Sequence, residues 1–432
     1  MLLASLADVV NPAYIVLAVL GIATVLFFTE IVPLAITAML VPIALNLSGV
    51  ITSQEAFANF GNKWVVLFMA MFVVGEGMFR TGVADHVGKA VVKVAGDSKA
   101  KLVVIIMLAV GLMSAFLSNT GTVALFIPLV VGMAASAKLK PGSLLMPMAF
   151  AASIGGTVTL VGTPPNGVVN SAIESAVAAG TLAGENAVRF GFFEFGKIGV
   201  IMLVVGILYY AIVGHRFLPD TEGPELAEHD QGFKRRTKKI PFATAIFIGV
   251  VAVMAINSKS FPLQTAAMLG ACLMVITGCV TMKEAFASIS WTTIFLFAGM
   301  LSMSTAMQSS GAAKLIADKV VALVDSPHLL LAAAFGITAL VTNFMSNTAT
   351  ATLMAPLGIA MANKMGVSHS PILMGVAIAA SCCFLTPVAT PPNTMVLGPG
   401  GYRFMDYVKA GWPLQVISFV VGVALIPVFW PF

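Results

Sequence analysis

Two short polar stretches interrupt the most apolar parts of this 432-residue chain, and they are near copies of each other. Phe116-Leu117-Ser118-Asn119-Thr120-Gly121-Thr122 and Phe344-Met345-Ser346-Asn347-Thr348-Ala349-Thr350 each set a hydroxyl, an amide and a second hydroxyl side by side. A second polar break follows each one. Thr163-Pro164-Pro165-Asn166 begins 45 residues after Ser118, and Thr390-Pro391-Pro392-Asn393 begins 44 after Ser346. Ser, Asn and Thr are preferred helix N-caps because their side-chain oxygens accept orphan backbone N–H groups. Proline fits the first helical position, where no N–H is missed. Four half-helix N-termini at membrane depth would therefore concentrate free N–H groups and partial positive charge, which suits an anion. The carbonyls released at the same breaks, with the Ser, Thr and Asn oxygens, suit a hard cation such as Na⁺.

A single Ser-Asn-Thr inside a helix is ordinarily interhelical glue, and a single Thr-Pro-Pro a kink. Two of each in register make coincidence a poor account. Glu76 is the acidic residue deepest in an apolar run, and Thr305 stands at its counterpart position. An intramembrane carboxylate is a functional candidate, but the missing counterpart leaves a structural role equally open. No Arg or Lys lies beside either motif, so a bound anion must be balanced by helix ends and cations. His86, His215, His229, His328 and His369 fall in polar segments and offer neither proton relay nor metal cluster. Cys272, Cys279, Cys382 and Cys383 lie in or beside apolar runs, without metal-ligand spacing, and read as small buried hydrophobes.

The elements that must position these residues are membrane helices. Hydrophobic residues make up 59% of the chain, charged residues 9%, and the mean hydropathy is +1.00. A soluble domain carries roughly a quarter charged residues. The uncharged runs have spanning-helix length and lack the short alternation of a membrane β-barrel. A membrane enzyme would need a metal cluster or a nucleophile–base set at depth, and the sequence displays neither. The first apolar run, near Ala13 to Phe28, lacks a basic n-region and has a partner in the second half, so it reads as a span rather than a signal peptide.

The chain repeats itself. Pro33-Leu34 and Ala38-Met39-Leu40 recur as Pro262-Leu263 and Ala267-Met268-Leu269 at an offset of 229, and Glu55-Ala56-Phe57-Ala58 recurs as Glu284-Ala285-Phe286-Ala287 at the same offset. The hydroxyl-amide triplets follow at 228 and the Thr-Pro-Pro-Asn stretches at 227. So small a drift across half a chain marks an internal repeat. Each half holds five spans plus one interrupted stretch, Leu102–Ala137 or Leu329–Ala362. Such a stretch either crosses once as a bent helix or turns back as a re-entrant hairpin. The hairpin fits better, because two half-membrane helices then meet at the Ser-Asn-Thr tip. Five crossings per half give the halves opposite orientations. With both termini outside, most of the 23 Lys and Arg face the cytoplasm, as the positive-inside rule requires. Gly82 to Lys101 and Gly311 to Asp325 read as amphipathic interfacial helices, with ordinary loop helices nearly as good a description.

At this point the chain resembles the divalent anion/sodium symporter family over nearly its whole length. Thr29-Glu30-Ile31-Val32-Pro33-Leu34 looks like the family's opening signature, and both Ser-Asn-Thr motifs stand as the family has them. Ser381-Cys382-Cys383-Phe384-Leu385-Thr386-Pro387-Val388-Ala389-Thr390-Pro391-Pro392-Asn393-Thr394-Met395-Val396 looks like its long C-terminal signature. The resemblance implies an all-α integral membrane fold of two inverted-topology repeats, with about ten spanning helices, two re-entrant hairpins and broken helices at the site. It implies Na⁺-coupled transport of a C4-dicarboxylate, citrate or sulfate by an elevator motion in a homodimer of the cell membrane. Exchange remains open beside symport, and a channel would differ by passing current without saturable uptake. Substrate would be held by Ser118, Asn119, Thr120, Thr163, Ser346, Asn347, Thr348, Thr390 and Pro391. One Na⁺ would lie near Ser114, Ser118, Asn119 and Gly162. A second would lie near Thr342, the Met345 carbonyl, Asn347 and Ala389. On this reading repeat 1 covers 1–214, with 1–101 as scaffold and arm and 102–213 as a transport block containing the hairpin 102–137. A cytoplasmic linker covers 215–239. Repeat 2 covers 240–432, with 240–328 as scaffold and arm and 329–432 as transport block containing the hairpin 329–362.

Overall fold

The computed structural model describes residues 6–29, 31–83, 98–182, 188–221, 223, 235–256 and 261–432, and the regular elements among them are all helical. The first half runs α1 (Pro12–Thr29), α2 (Leu34–Leu47), α3 (Ser53–Ala58), α4 (Lys63–Thr81), α5 (Lys99–Ser114), α6 (Asn119–Ser136), α7 (Gly142–Gly156), α8 (Pro164–Ala178) and α9 (Gly196–Ile212). The second runs α10 (Ile240–Ile256), α11 (Leu263–Ile276), α12 (Met282–Ser288), α13 (Trp291–Ser309), α14 (Ala312–Val321), α15 (Pro327–Val341), α16 (Asn347–Met365), α17 (His369–Ala380), α18 (Pro391–Leu397) and α19 (Phe404–Phe429). Every helix from α1 to α8 has a counterpart in the second list near the offset read from the sequence, whereas α9 and α19, the last helices of the two halves, start 208 residues apart (404 − 196). The partner of α14 is the expected arm from Gly82 to Lys101, most of which lies outside the described residues.

The repeat extends to local chemistry. Thr52 and Thr281 each cap a short helix by accepting the N–H of Glu55 or Glu284, and each glutamate accepts the threonine's own N–H in return. Gly82 and Gly311 both hold left-handed backbone, at φ 89° and 78°, where a side chain would strain the turn.

The halves are interlocked. Helix α2 packs on α13 and its counterpart α11 packs on α4. The second hairpin arm α6 packs on the other repeat's α18, and α16 packs on α8. Each half thus completes the other's hydrophobic contacts. At the centre, α7 buries all fifteen of its residues, while α10 is mostly exposed, with buried contacts at Ala243, Val250 and Met254.

A hydrocarbon core of about 30 Å needs roughly 20 helical residues. Among the described residues four helical stretches are both long and apolar enough to cross by themselves, at Ser53–Thr81, Asn119–Ser136, Thr237–Ile256 and Phe404–Phe429, and α12 with α13 would form a fifth with a 54° bend. Several shorter apolar helices, α7 and α17 among them, are the halves of broken spans. This is the all-α, inverted-repeat membrane fold with two hairpins that the sequence pattern predicts.

Three details differ from expectation. The second break in each half begins well before the proline pair: Thr157–Thr163 and Ser381–Thr390 are both unwound. Proline fixes only where the next helix starts, and Gly155-Gly156 gives the preceding helix little reason to continue. Cys272 is exposed on the outer face of α11, unlike Cys279, Cys382 and Cys383, which are buried. His369 is buried beneath the α16–α17 corner rather than lying in a polar segment.

Close helix approach depends on missing side chains. A Cβ on Gly155 would land on the Gly111 carbonyl of α5, and one on Gly299 would land on the Ala38 carbonyl of α2. Gly155→Ala and Gly299→Ala should each cost about 1–3 kcal/mol and lower the thermal midpoint of the detergent-solubilised protein. Gly132→Ala, with nothing within 4 Å, should leave it unchanged or raise it.

Candidate functional site

The α5–α6 hairpin turns at Ala115–Ser118 and the α15–α16 hairpin at Thr342–Ser346. Ser118 caps α6 by accepting the Gly121 N–H at 3.2 Å, and Ser346 caps α16 by accepting the Ala349 N–H at 3.3 Å. These caps free the asparagines that follow for other work. The Ser114 hydroxyl donates to the Asn119 amide oxygen at 2.6 Å, and the Thr342 hydroxyl lies 3.0 Å from the Asn347 amide oxygen. Thr342 is also 2.6 Å from the Ala380 carbonyl, where α17 ends. The hydroxyl-amide pairing therefore recurs five residues apart in both repeats.

Thr163 and Thr390 occupy the N-cap positions of α8 and α18, but neither side chain makes the capping hydrogen bond the sequence led one to expect. Their hydroxyls remain free to meet a guest. Thr163, Thr390 and Pro391 line a single cavity of about 770 Å³ together with Ser118, Asn119, Thr120, Ser346, Asn347 and Thr348. Gly162 and Ala389 also reach its wall. Ser114, Thr342 and Met345 are buried behind it. The sequence-predicted residues of both repeats thus converge on one space.

Opposite them stand residues the sequence reading missed. Phe68, Met71, Phe72 and Phe79 of α4 form an apolar wall, and Ser288, Ser290, Thr292 and Thr293 add hydroxyls where α12 gives way to α13. The run Ser288-Ile289-Ser290-Trp291-Thr292-Thr293, hydroxyl-rich inside a broken span, was the signal for the latter.

Among the described lining residues Glu76 is the one ionisable side chain. Arg80 donates to it at 2.6 Å and also lies 3.3 Å from Glu284. Glu284 accepts a two-pronged pair from Arg236 at 2.7 and 3.0 Å, which raises the guanidinium's pKa further. Glu76 therefore has a structural partner while facing the cavity.

The oxygens behind the first tip suit a small hard cation. A Cβ on Gly156 would lie 2.7 Å from the Asn119 amide oxygen and 3.2 Å from the Gly162 carbonyl, and one on Gly162 would lie 2.8 Å from the Ala115 carbonyl. Carbonyl, amide and hydroxyl oxygens crowd together there beside two glycines, which is a Na⁺-like donor set.

A helical membrane fold with two inverted hairpins and broken helices around one cavity lined from both repeats is the architecture of a transporter. The chain belongs to the citrate transporter family, whose profile, described as CitMHS, citrate transporter, matches residues 24–372. It is 29% identical to the uncharacterized transporter YfbS of Escherichia coli, across 96% of this chain and 99% of that one. It is 26% identical to the sodium-dependent dicarboxylate transporter SdcS of Staphylococcus aureus, across 96% and 85%. The YdaH transporter of Alcanivorax borkumensis shares the fold, with a TM-score of 0.67 at 14% identity over 98% of this chain and 99% of that structure.

Asn119→Ala and Asn347→Ala should each abolish saturable uptake of a labelled dicarboxylate while the protein still inserts and melts cooperatively. Gly156→Ala should do the same by displacing the Asn119 amide. Uptake in membrane vesicles, read beside the melting curve, checks all three.

Proposed function

We propose that this protein is a Na⁺-coupled symporter of a divalent anion, a C4-dicarboxylate such as succinate, malate or fumarate. One observation carries the reading: two matched tips, each a capped helix N-terminus with an amide beside it, face a single cavity whose described lining offers no basic side chain. An anion without a lysine or arginine partner needs helix ends and bound cations to balance it. The guest's two carboxylates would sit near Asn119-Thr120 and Asn347-Thr348, with Thr163 and Thr390 alongside. Na⁺ would be held by Ser114, Ser118, Asn119 and Gly162 on one side, and by Thr342, Met345, Asn347 and Ala389 on the other. Cation binding first would straighten both tips for the anion, so the empty site would discriminate against substrate alone. The sodium-dependent dicarboxylate transporter among the relatives supports Na⁺ coupling and a dicarboxylate guest.

For movement, segments 102–213 and 329–432 would form the block that carries the site, and 1–101 with 240–328 the dimerising scaffold in the cell membrane. With both termini outside, the cavity would lie toward the cytoplasmic part of α4, along Phe68 to Phe79. At its other end Glu174 of the block meets Lys63 at 2.7 Å and the Trp64 indole N–H at 3.2 Å. Those contacts must part for the block to travel, and a partly exposed pair costs only about 1 kcal/mol to break.

Proteoliposomes containing the purified protein should accumulate labelled succinate when Na⁺ is higher outside than inside. Uptake that ignores an imposed Na⁺ gradient would remove the coupling.

A further inference from the structure

The Thr-Pro-Pro-Asn stretches end in an asparagine that does not reach the cavity. Asn166 and Asn393 are fully buried and absent from its lining. Each extends its amide nitrogen back across the unwound segment that precedes it. Asn166 donates to the Thr159 carbonyl at 2.8 Å and to the Gly156 carbonyl at 3.4 Å. Asn393 donates to the Thr386 carbonyl at 3.0 Å and to the Cys383 carbonyl at 2.8 Å. Gly156 pairs with Cys383, and Thr159 with Thr386, at the same 227-residue offset as the asparagines themselves. One side chain ties the same two points in both repeats.

The tie reaches the hairpins. The Thr159 hydroxyl donates to the Ala115 carbonyl, and the Thr386 hydroxyl to the Asn343 carbonyl, and both carbonyls belong to hairpin turns. Unwound backbone in a buried place leaves carbonyls that nothing in the helix satisfies. An asparagine amide supplies two donors at fixed separation, which no hydroxyl can do. Among the described residues neither asparagine's own amide oxygen has a partner, so these side chains act through their donors.

Building on the symport reading, we propose that Asn166 and Asn393 are positioning residues, each a clamp that fixes one unwound segment against one hairpin tip and so sets the oxygens of one Na⁺ site. Neither touches the substrate. Loosening a clamp weakens the cation site on its own side, while the substrate contacts of Asn119 and Asn347 keep their chemistry.

The test uses the protein in proteoliposomes, comparing wild type with Asn166→Ala, Asn393→Ala and the near-isosteric Asn166→Leu and Asn393→Leu. Succinate uptake is measured against Na⁺ concentration, and Na⁺ is titrated alone into the detergent-solubilised protein with its melting temperature as readout. Losing an outer-shell partner of a cation typically weakens binding roughly 10–100-fold. Each variant is expected to raise half-saturating Na⁺ at least tenfold, to flatten the Na⁺ dependence, and to shrink the Na⁺-induced melting shift. The succinate KM at saturating Na⁺ should move less than twofold. Leucine keeps the approximate shape and carries neither donor nor charge, so it should behave as alanine does and also covers an alanine variant that fails to fold. Wild-type Na⁺ dependence in all folded variants would overturn the clamp, as would a succinate KM that rises as much as the Na⁺ requirement. Absence of Na⁺ dependence in the wild type would instead overturn the symport reading.

Discussion

Backbone that leaves the helix inside a membrane must find hydrogen bonds within the protein, because the hydrocarbon supplies none. Around the site, among the described residues, this happens at two hairpin turns and two unwound segments, and the surrounding fold serves those places. Serine caps at 118 and 346 take up orphan amides. Threonine hydroxyls at 159 and 386 take up turn carbonyls. Each unwound segment backs the tip of its own repeat, and the interlock of α6 with α18 and of α16 with α8 brings the two half-sites together. The Thr163 and Thr390 side chains, which make no cap hydrogen bond, face the cavity.

The symmetry is real but incomplete, and its departures are informative. Thr120 is exposed where Thr348 is buried, so one tip is wetter than the other. Gly156 lets the Asn119 amide lie against bare backbone, whereas its counterpart is the buried Cys383. Helix α8 has fifteen residues and α18 only seven. Glu76 faces the cavity while its counterpart Thr305 bonds its own helix through the Leu301 carbonyl. Two unequal half-sites can grip the two ends of a guest differently and still share one architecture.

Much of this was legible in the sequence. The constant offset from Pro33 to Asn393 gave away the inverted repeat, and the Ser-Asn-Thr triplets marked hairpin tips because cap residues at membrane depth have few other uses. The extent of the unwound segments was not legible. Proline announces where a helix begins, and Gly155-Gly156 hints at one end, but no comparable local signal marks where Ala380 ends the other. The α4 wall from Phe68 to Phe79 reads as any apolar helix until packing turns it toward the cavity. The burial of His369 and the exposure of Cys272 were likewise decided by neighbours distant in sequence.

The central claim is a single guest shared by two broken-helix tips and dependent on Na⁺. Density maps of the full chain with succinate, recorded in Na⁺ and again in K⁺, test it most directly. The account predicts density bridging Asn119 and Asn347 in Na⁺ and its loss in K⁺. Equal density in both salts, or a guest bound away from either tip, would contradict it.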